Sequence, residues 1–418
     1  MQFQIIISGD ELIEGRQKDA NGQFLASALY LRGFEAGGVV FVGDDHDKLV
    51  RTFREAMAEN DLVICSGGLG GTLDDLTRFA LSEAVDSPLV ENQDALCALR
   101  SFWQRIKRPF PKGTPLEAMM PAIAKMVPNG AGLAPGMYLR HEKSQFLCLP
   151  GVPTELRHMV EDGVLDLFGD SPLKMSQAKM RIVNMGESVI ANRLGGILSR
   201  GRNPLCGIAA KHGEVILSLR AKAVTQVEAD DLIGSVVAEI QTIFGEHVYS
   251  ADGRNLAVVV TEELRRNHHT LAVAESLTGG LIGHELTELP GVSDVFLADF
   301  VTYSNEAKCQ ALSVDPKSIE ENGAVSETVA RQMAEGARLN VGADFGIATT
   351  GIAGPTGGSE EKPVGTCWVA ASFADGTTWA EMKIHGVSRT EVKRRTVNHT
   401  FDLLRRLIDF VVQKNQAK

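Results

Sequence analysis

Ser276 stands in the run Ala274-Glu275-Ser276-Leu277-Thr278-Gly279-Gly280, between an apolar strand-like stretch and a helix-like one. A residue at such a junction meets unpaired N–H groups and the positive end of the helix dipole. Paired glycines let a ligand approach the backbone closely. This is a setting for stabilising the oxyanion that forms when an acyl carbon is attacked. The plain alternative is that Ser276 or Thr278 is only an N-cap. A serine nucleophile needs a base, and no histidine sits suitably: His268 and His269 fall in a polar loop, His284 mid-helix and His385 at a strand end. Lys308, in VTYSNEAKCQAL, is the better base. It follows a strand and lies in the opening turns of a helix that Ser304 can cap, where the dipole and partial burial both disfavour its charge. A neutral lysine can serve a serine in this way. Tyr303, read as the end of the same strand, can donate to a substrate or steer the lysine, although a surface lysine beside a capping aromatic reads similarly. A third segment, Thr350 to Gly358 (TGIAGPTGG), is a glycine loop after the strand FGIAT, suited to anionic oxygens.

A second constellation lies at the other end of the chain. ISGDELIEG (Ile7 to Gly15), VGDD (Val42 to Asp45) and SGGLGGTLDDLT (Ser66 to Thr77) each begin where a predicted strand ends. In an open parallel sheet that edge is where ligands bind. Gly67, Gly68, Gly70 and Gly71 offer backbone donors to phosphate, and Asp10, Asp74 and Asp75 are candidates to hold a divalent cation between phosphates. Read without a ligand, the same aspartates are N-caps.

The elements that must position these residues alternate strand and helix. FQIIISG, VVFVGDD, DLVICSGG and FLCLPG read as strands, and GQFLASALYLRG, DKLVRTFREAMAE and TELRHMVED as helices. That pattern predicts βαβ units on a parallel sheet up to about residue 170. Residues 171–252 read as a small α+β unit closed by a linker, GEHVYSADGRN, with its Asp-Gly turn signal. From 253 to 418 a mixed α/β domain follows, ending in a long helix from Arg389.

The 418 residues exceed what one core supports, so several domains are expected. Apolar content of 44% and 23% charged residues describe an ordinary globular protein. A formal net charge of −11 argues against a nucleic-acid surface. The six cysteines are scattered, with no C-x-x-C pair to suggest zinc or a disulfide framework. Neither a signal peptide nor a membrane span is apparent, so a cytoplasmic location is expected.

The segments AESLTGG, VTYSNEAKCQALSV, GAVSETVARQMAEGAR and TGIAGPTGGSEEKPVGT closely resemble the C-terminal domain of CinA proteins, which also occurs alone as nicotinamide mononucleotide deamidase. The resemblance implies hydrolysis of nicotinamide mononucleotide to nicotinate mononucleotide and ammonia. Ser276, Lys308 and Tyr303 fall on the family's serine, lysine and tyrosine. Substrate contacts are expected from Glu275, Thr278, Gly279, Gly280, Thr350, Gly351, Gly354, Gly357 and Gly358, with no cofactor. The family usually reads Ala-Glu-Ser-Cys-Thr-Gly-Gly, and Leu277 replaces the cysteine. Leucine cannot attack a carbonyl, which leaves Ser276.

The N-terminal motifs, with NGAGLAPG and LPGVPTEL, resemble the CinA N-terminal domain of molybdopterin-binding fold, and MGESVIANRL resembles the family's connecting domain. In family members the N-terminal domain is linked to ADP-ribose pyrophosphatase activity requiring a divalent metal. Ligand contacts are expected from Gly9, Asp10, Glu11, Asn21, Asp44, Gly67, Gly68, Gly70 and Thr72, with magnesium, manganese or cobalt held by Asp10, Asp74 and Asp75. The sequence departs from the family here. Gly71 replaces a proline, Asp19-Ala20-Asn21 an Asn-Thr-Asn, and Thr114-Pro115-Leu116-Glu117 an Asn-Arg-Lys-Gln. The expected partners are small nucleotides rather than nucleic acid or membrane, and a homodimer is compatible with the sequence. The rival reading is a non-catalytic pterin- or nucleotide-binding protein serving competence or DNA damage response.

Overall fold

The structure, a computed structural model, describes residues 1–111, 115–169 and 171–416. It divides into two compact units, Met1–Ser176 with Ala221–Asp231, and Gln177–Arg220 with Leu232–Lys418.

In the first unit the strands are β1 (Gln2–Ser8), β2 (Glu35–Val42), β3 (Leu62–Ser66), β4 (Leu89–Glu91), β5 (Met119–Pro121), β6 (Lys125–Val127), β7 (Gly136–His141) and β8 (Ser144–Leu149). The main sheet runs β2-β1-β3-β8-β7-β6, and β4 pairs with β5 separately. From β2 to β8 the strands are parallel, but β7 and β6 are antiparallel. The expected parallel sheet is therefore mixed. Only two residues join β7 to β8, too few for a crossover and enough for a hairpin. Phe3, Ile5 and Ile7 pack on the helix Asn21–Leu31 from one face, while Ile6, Val63 and Cys65 join the other core with Phe53. In register, Ser8 lies opposite Val42 and Ile7 opposite Ser66, so the three N-terminal motifs leave the sheet along one edge.

The second unit holds a four-stranded sheet of order β10-β11-β9-β12, made of β9 (Lys174–Val183), β10 (Leu205–Lys211), β11 (Glu214–Ala223) and β12 (Val248–Ser250). The segment expected as a linker thus contains a strand, and β12 lies antiparallel to β9. Three residues are too few for sequence periodicity to register.

The remaining sheet is β13 (Leu271–Glu275), β14 (Phe296–Val301), β15 (Phe345–Gly351), β16 (Thr366–Phe373) and β17 (Thr378–Ile384), ordered β14-β13-β15-β16-β17. Its first three strands are parallel and the last two antiparallel. Ala272, Ala274, Ala348 and Ala370 pack on the helix Glu327–Val341. Leu271, Val273, Ile347 and Val369 face the helix Leu256–Arg266 and the long helix Arg389–Gln416. β13 is fully buried because both faces are covered. The long helix is also anchored by charge: buried Asp402 accepts from Asn184 at 2.7 Å and from Arg405 and Arg406 at 2.8 and 3.0 Å. Among the described residues no helix is long and apolar enough to cross a membrane.

Candidate active site

The chain leaves β13 at Glu275 and turns, leaving Ser276 only 8% exposed. Ser276 Oγ accepts a hydrogen bond from Lys308 Nζ at 3.1 Å. Lys308 is carried by the helix Asn305–Leu312, which Ser304 caps by accepting from the Ala307 amide at 3.1 Å. It is 1% exposed, and its ammonium nitrogen donates a second bond to the Thr302 carbonyl at 2.8 Å. Burial holds the Lys308 pKa below its ordinary value, because a charge is costly where water is excluded. No carboxylate pairs with it among its hydrogen-bond partners.

Thr349, from β15, braces the turn. Its hydroxyl accepts from the Ser276 amide at 3.5 Å and shares a 2.8 Å bond with the Thr278 hydroxyl. Thr278 is completely buried, so its hydroxyl is a strut of the turn rather than a substrate contact. Leu277 points inward, packing with Ala353, Cys367 and Val392. Successive residues of the turn therefore face opposite ways, and position 277 belongs to a small core.

Glu275 is likewise not a substrate contact. It is 0% exposed, and its carboxylate accepts from the amides of Gly280, Leu281, Ile282 and Gly283 at 2.8, 2.9, 2.7 and 3.0 Å. These are the orphan donors of the helix Leu281–Thr287. The expectation that this helix start faces an oxyanion is overturned, since a buried glutamate five residues before its N-cap already occupies it. The amides left for an incoming charge lie before the cap, at Leu277, Thr278 and Gly279. Gly279 and Gly280 adopt left-handed φ values of 61° and 87°, which a side chain would resist.

Tyr303 lies beyond β14, which ends at Val301, and is 65% exposed. Its hydroxyl accepts from Arg389 at 3.3 Å, while Arg389 also donates to the Gly354 carbonyl at 2.6 Å. The lysine is steered by the Thr302 carbonyl instead of by Tyr303. Within the glycine loop, Thr350 donates to the Ala324 carbonyl at 2.7 Å and is 1% exposed, so it too is structural. Gly351 ends β15 paired with Cys367. Gly354, Gly357 and Gly358 occupy the irregular segment that follows, and Gly354 O is the atom Arg389 holds. Lys393 completes this rim: its Nζ would lie 3.7 Å from a Cβ at Gly279. Arg389 and Lys393, one turn apart, read in sequence as ordinary solvated charges of a long helix, with no signal to single them out.

At the N-terminal edge, Asp10 and Asp44 exchange bonds. The Asp44 amide donates to Asp10 at 3.0 Å and the Asp10 amide to Asp44 at 3.2 Å. Burial raises the Asp44 pKa. Gly9 donates to the Val42 carbonyl at 3.1 Å, and a Cβ there would meet Glu11 at 2.7 Å. Asn21 donates to Ser66 Oγ and the Gly151 carbonyl at 3.0 and 2.7 Å, and its buried Oδ1 has no partner among the described residues.

The phosphate-cradle reading of the glycine loop needs correction. The Gly67 amide is taken by the Leu149 carbonyl at 3.1 Å. Asp75 takes the Gly70 amide at 2.8 Å, the Thr72 amide at 2.9 Å and the Thr72 hydroxyl at 2.5 Å. A short acidic side chain closes the loop on itself, which leaves Gly68 and Gly71 as the exceptions in that set of glycines. Arg78 is 2% exposed and grips the Leu69 and Gly70 carbonyls from beneath. Asp10, Asp74 and Asp75 do not assemble. Among the described residues no group of three His, Cys, Asp or Glu side chains is placed to hold a metal ion, so these residues do not fit the cation expected of them. Glu117 lies against the loop, since a Cβ on Gly71 would fall 2.6 Å from its carboxylate. Thr114, the first residue of the departing stretch, lies outside the described residues.

Comparison with known proteins matches residues 253–408 to the CinA C-terminal domain, 4–169 to the probable molybdopterin binding domain and 177–250 to the damage-inducible protein CinA KH domain. A protein of Caldanaerobacter subterraneus subsp. tengcongensis named as competence-damage inducible is 35% identical over 412 residues, 98% of this chain and 99% of its own length. A CinA-like protein of Solibacter usitatus is 35% identical over 410 residues, 98% of each chain. A crystal structure of the competence/damage inducible protein CihA from Agrobacterium tumefaciens is 40% identical, covering 36% of this chain and 93% of that one at a TM-score of 0.36. With relatives matching along their whole length and three family domains following one another in order, the chain belongs to the CinA family.

Proposed function

We propose that the C-terminal domain hydrolyses the carboxamide of nicotinamide mononucleotide, giving nicotinate mononucleotide and ammonia. The observation that carries this reading is the buried bond of 3.1 Å between Lys308 Nζ and Ser276 Oγ, with burial depressing the lysine pKa. Neutral Lys308 removes the Ser276 proton as Oγ attacks the carboxamide carbon. The carbon–nitrogen bond then breaks, Lys308 returns the proton to the leaving nitrogen, and ammonia departs. Water, deprotonated by the same lysine, cleaves the resulting ester and frees the carboxylate and Ser276. The oxyanion of each tetrahedral intermediate is assigned to the amides of the turn between Ser276 and Gly280.

Arg389 and Lys393 are assigned to the phosphate, and Tyr303, held by Arg389, to the body of the nucleotide. Two cations spaced four residues apart on one helix suit a phosphate carrying more than one negative charge. The test is ammonia release and chromatographic detection of nicotinate mononucleotide from the full chain. Nucleotide that binds but stays intact would overturn the reading.

A further inference from the structure

Asp299 is a charged residue in a place where charge is hard to explain. It sits on β14 two residues before the strand end, on the strand that pairs with β13. Its carboxyl and that of Glu275 meet at Gly283, and the Glu275 carboxylate accepts from four helix amides. Asp299 Oδ1 is buried and without a partner among the described residues. Gly283 records how close the carboxyl comes. A Cβ at that helical position would fall 2.4 Å from Asp299 Oδ2, so the helix bears a glycine, a residue that weakens a helix interior, where Asp299 enters.

We propose that Asp299 is a positioning residue for the Ser276 turn, acting as a carboxylic acid that donates its proton to Glu275. Two carboxylates cannot face each other here as anions, whereas an acid and an anion can, the acid supplying the donor that a contact between two carboxylates lacks. The donated bond holds Glu275 against the amides of Gly280 to Gly283. Those amides fix where the helix starts, and so the five-residue path from Glu275 to Gly280 on which Ser276 rides. Burial first, then the charge and bond of Glu275, push the Asp299 pKa up to about 8.

The helix also bears His284 and Glu285, and Glu288 is its C-cap. Glu285 answers to Arg394, His284 and His212, while the charged group acting on Asp299 is Glu275. On the opposite side of the turn Lys308 bonds Ser276 and Thr302. Raising the pH through about 8 therefore places a second negative charge beside Glu275 and loosens the turn. Because the folded Asp299 pKa lies above that of the unfolded chain, the contribution of Asp299 to stability is complete below about pH 4 and is lost as pH rises through about 8.

The experiment compares the full chain with Asp299→Asn, whose amide still donates but cannot ionise, and Asp299→Ala, which does neither. Two readouts are taken across pH: kcat and KM for nicotinamide mononucleotide, and thermal melting. The kinetic readout rests on the function proposed above, but the melting readout does not. Wild type should lose kcat on the alkaline side of about pH 8, and Asp299→Asn should not. Asp299→Ala should lose about tenfold in kcat with KM little changed, since misplacing a nucleophile costs rate more than binding. The Tm of wild type should fall relative to Asp299→Asn between about pH 5 and 8, with a constant gap above. Failure of every form to hydrolyse the nucleotide would remove the functional reading and leave the melting series to decide. Asp299→Asn curves that superimpose on wild type in both rate and melting would overturn the proposal, as would an undiminished kcat in Asp299→Ala.

Discussion

Lys308 Nζ lies 3.1 Å from Ser276 Oγ and 2.8 Å from the Thr302 carbonyl, and neither partner is an anion. A lysine so placed is solvated by two neutral oxygens and buried to 1% exposure, conditions that favour the free amine over the ammonium ion. Activity should accordingly rise with pH through a lysine pKa depressed below the ordinary value. Lys308→Arg should be as damaging as Lys308→Ala, about 10³-fold or more in kcat, because arginine keeps its proton. The same shift predicts a stability trend. The unfolded chain binds the lysine proton more tightly, so wild type should gain stability relative to Lys308→Met as pH rises toward about 10. An Arg variant within tenfold of wild type would reduce the lysine to an electrostatic clamp.

Ser276→Ala should lose activity by about 10³-fold or more while still binding nucleotide within a few-fold, since only a bond made during the reaction is removed. Thr278 cannot take over, being buried on Thr349. Nor should Ser276→Ala with Leu277→Cys recover, because position 277 faces Ala353, Cys367 and Val392. Leu277→Cys alone should cost about 1–3 kcal/mol of stability through lost packing. Recovery of ammonia release in the double variant would show that the turn presents position 277 to substrate.

The phosphate assignment is tested by a substrate pair. Arg389→Ala and Lys393→Ala should each lower kcat/KM for nicotinamide mononucleotide by about 1.5–3 kcal/mol, roughly 10- to 150-fold, through loss of a charge-assisted contact. Nicotinamide riboside, lacking the phosphate, should be turned over by wild type and variants alike. Equal losses on both substrates would move these residues from phosphate recognition to maintenance of the site.

Hydrolysis of ADP-ribose by the N-terminal domain should be feeble. Glu117 lies against Gly71 of the glycine loop, and a carboxylate near a pyrophosphate is costly where water is excluded. The assay uses the full chain carrying Ser276→Ala, with magnesium, manganese or cobalt added. Leu116→Lys with Glu117→Gln, run beside it, should bind ADP-ribose more tightly. Vigorous metal-dependent turnover without those changes would show that Glu117 does not face the ligand.

What the sequence by itself determined was the order of the longer strands and helices, because apolar periodicity is local, and the choice of Ser276 and Lys308 as the candidate pair, because motif order carried it; the short strands β4 to β6 and β12 and the hairpin strand β7 escaped it. Its helix starts were legible wherever the cap was local: Ser304 caps the helix bearing Lys308 as its position implies. Tertiary structure alone decided what each side chain is for. Glu275 looked like part of a substrate loop, yet the fold buries it and turns it onto the helix amides. Asp299 precedes Lys308 by nine residues and carries no motif, and only the pairing of β13 with β14 brings it to Glu275. Asp75 read as a cation ligand or an N-cap and Arg78 carried no signal, until the turn folds back and uses both on its own backbone. Residue type and spacing fix what chemistry a chain can attempt. Which polar atoms remain unpaired to attempt it depends on hydrogen bonds between residues distant in sequence, and those exist only once the strands are side by side.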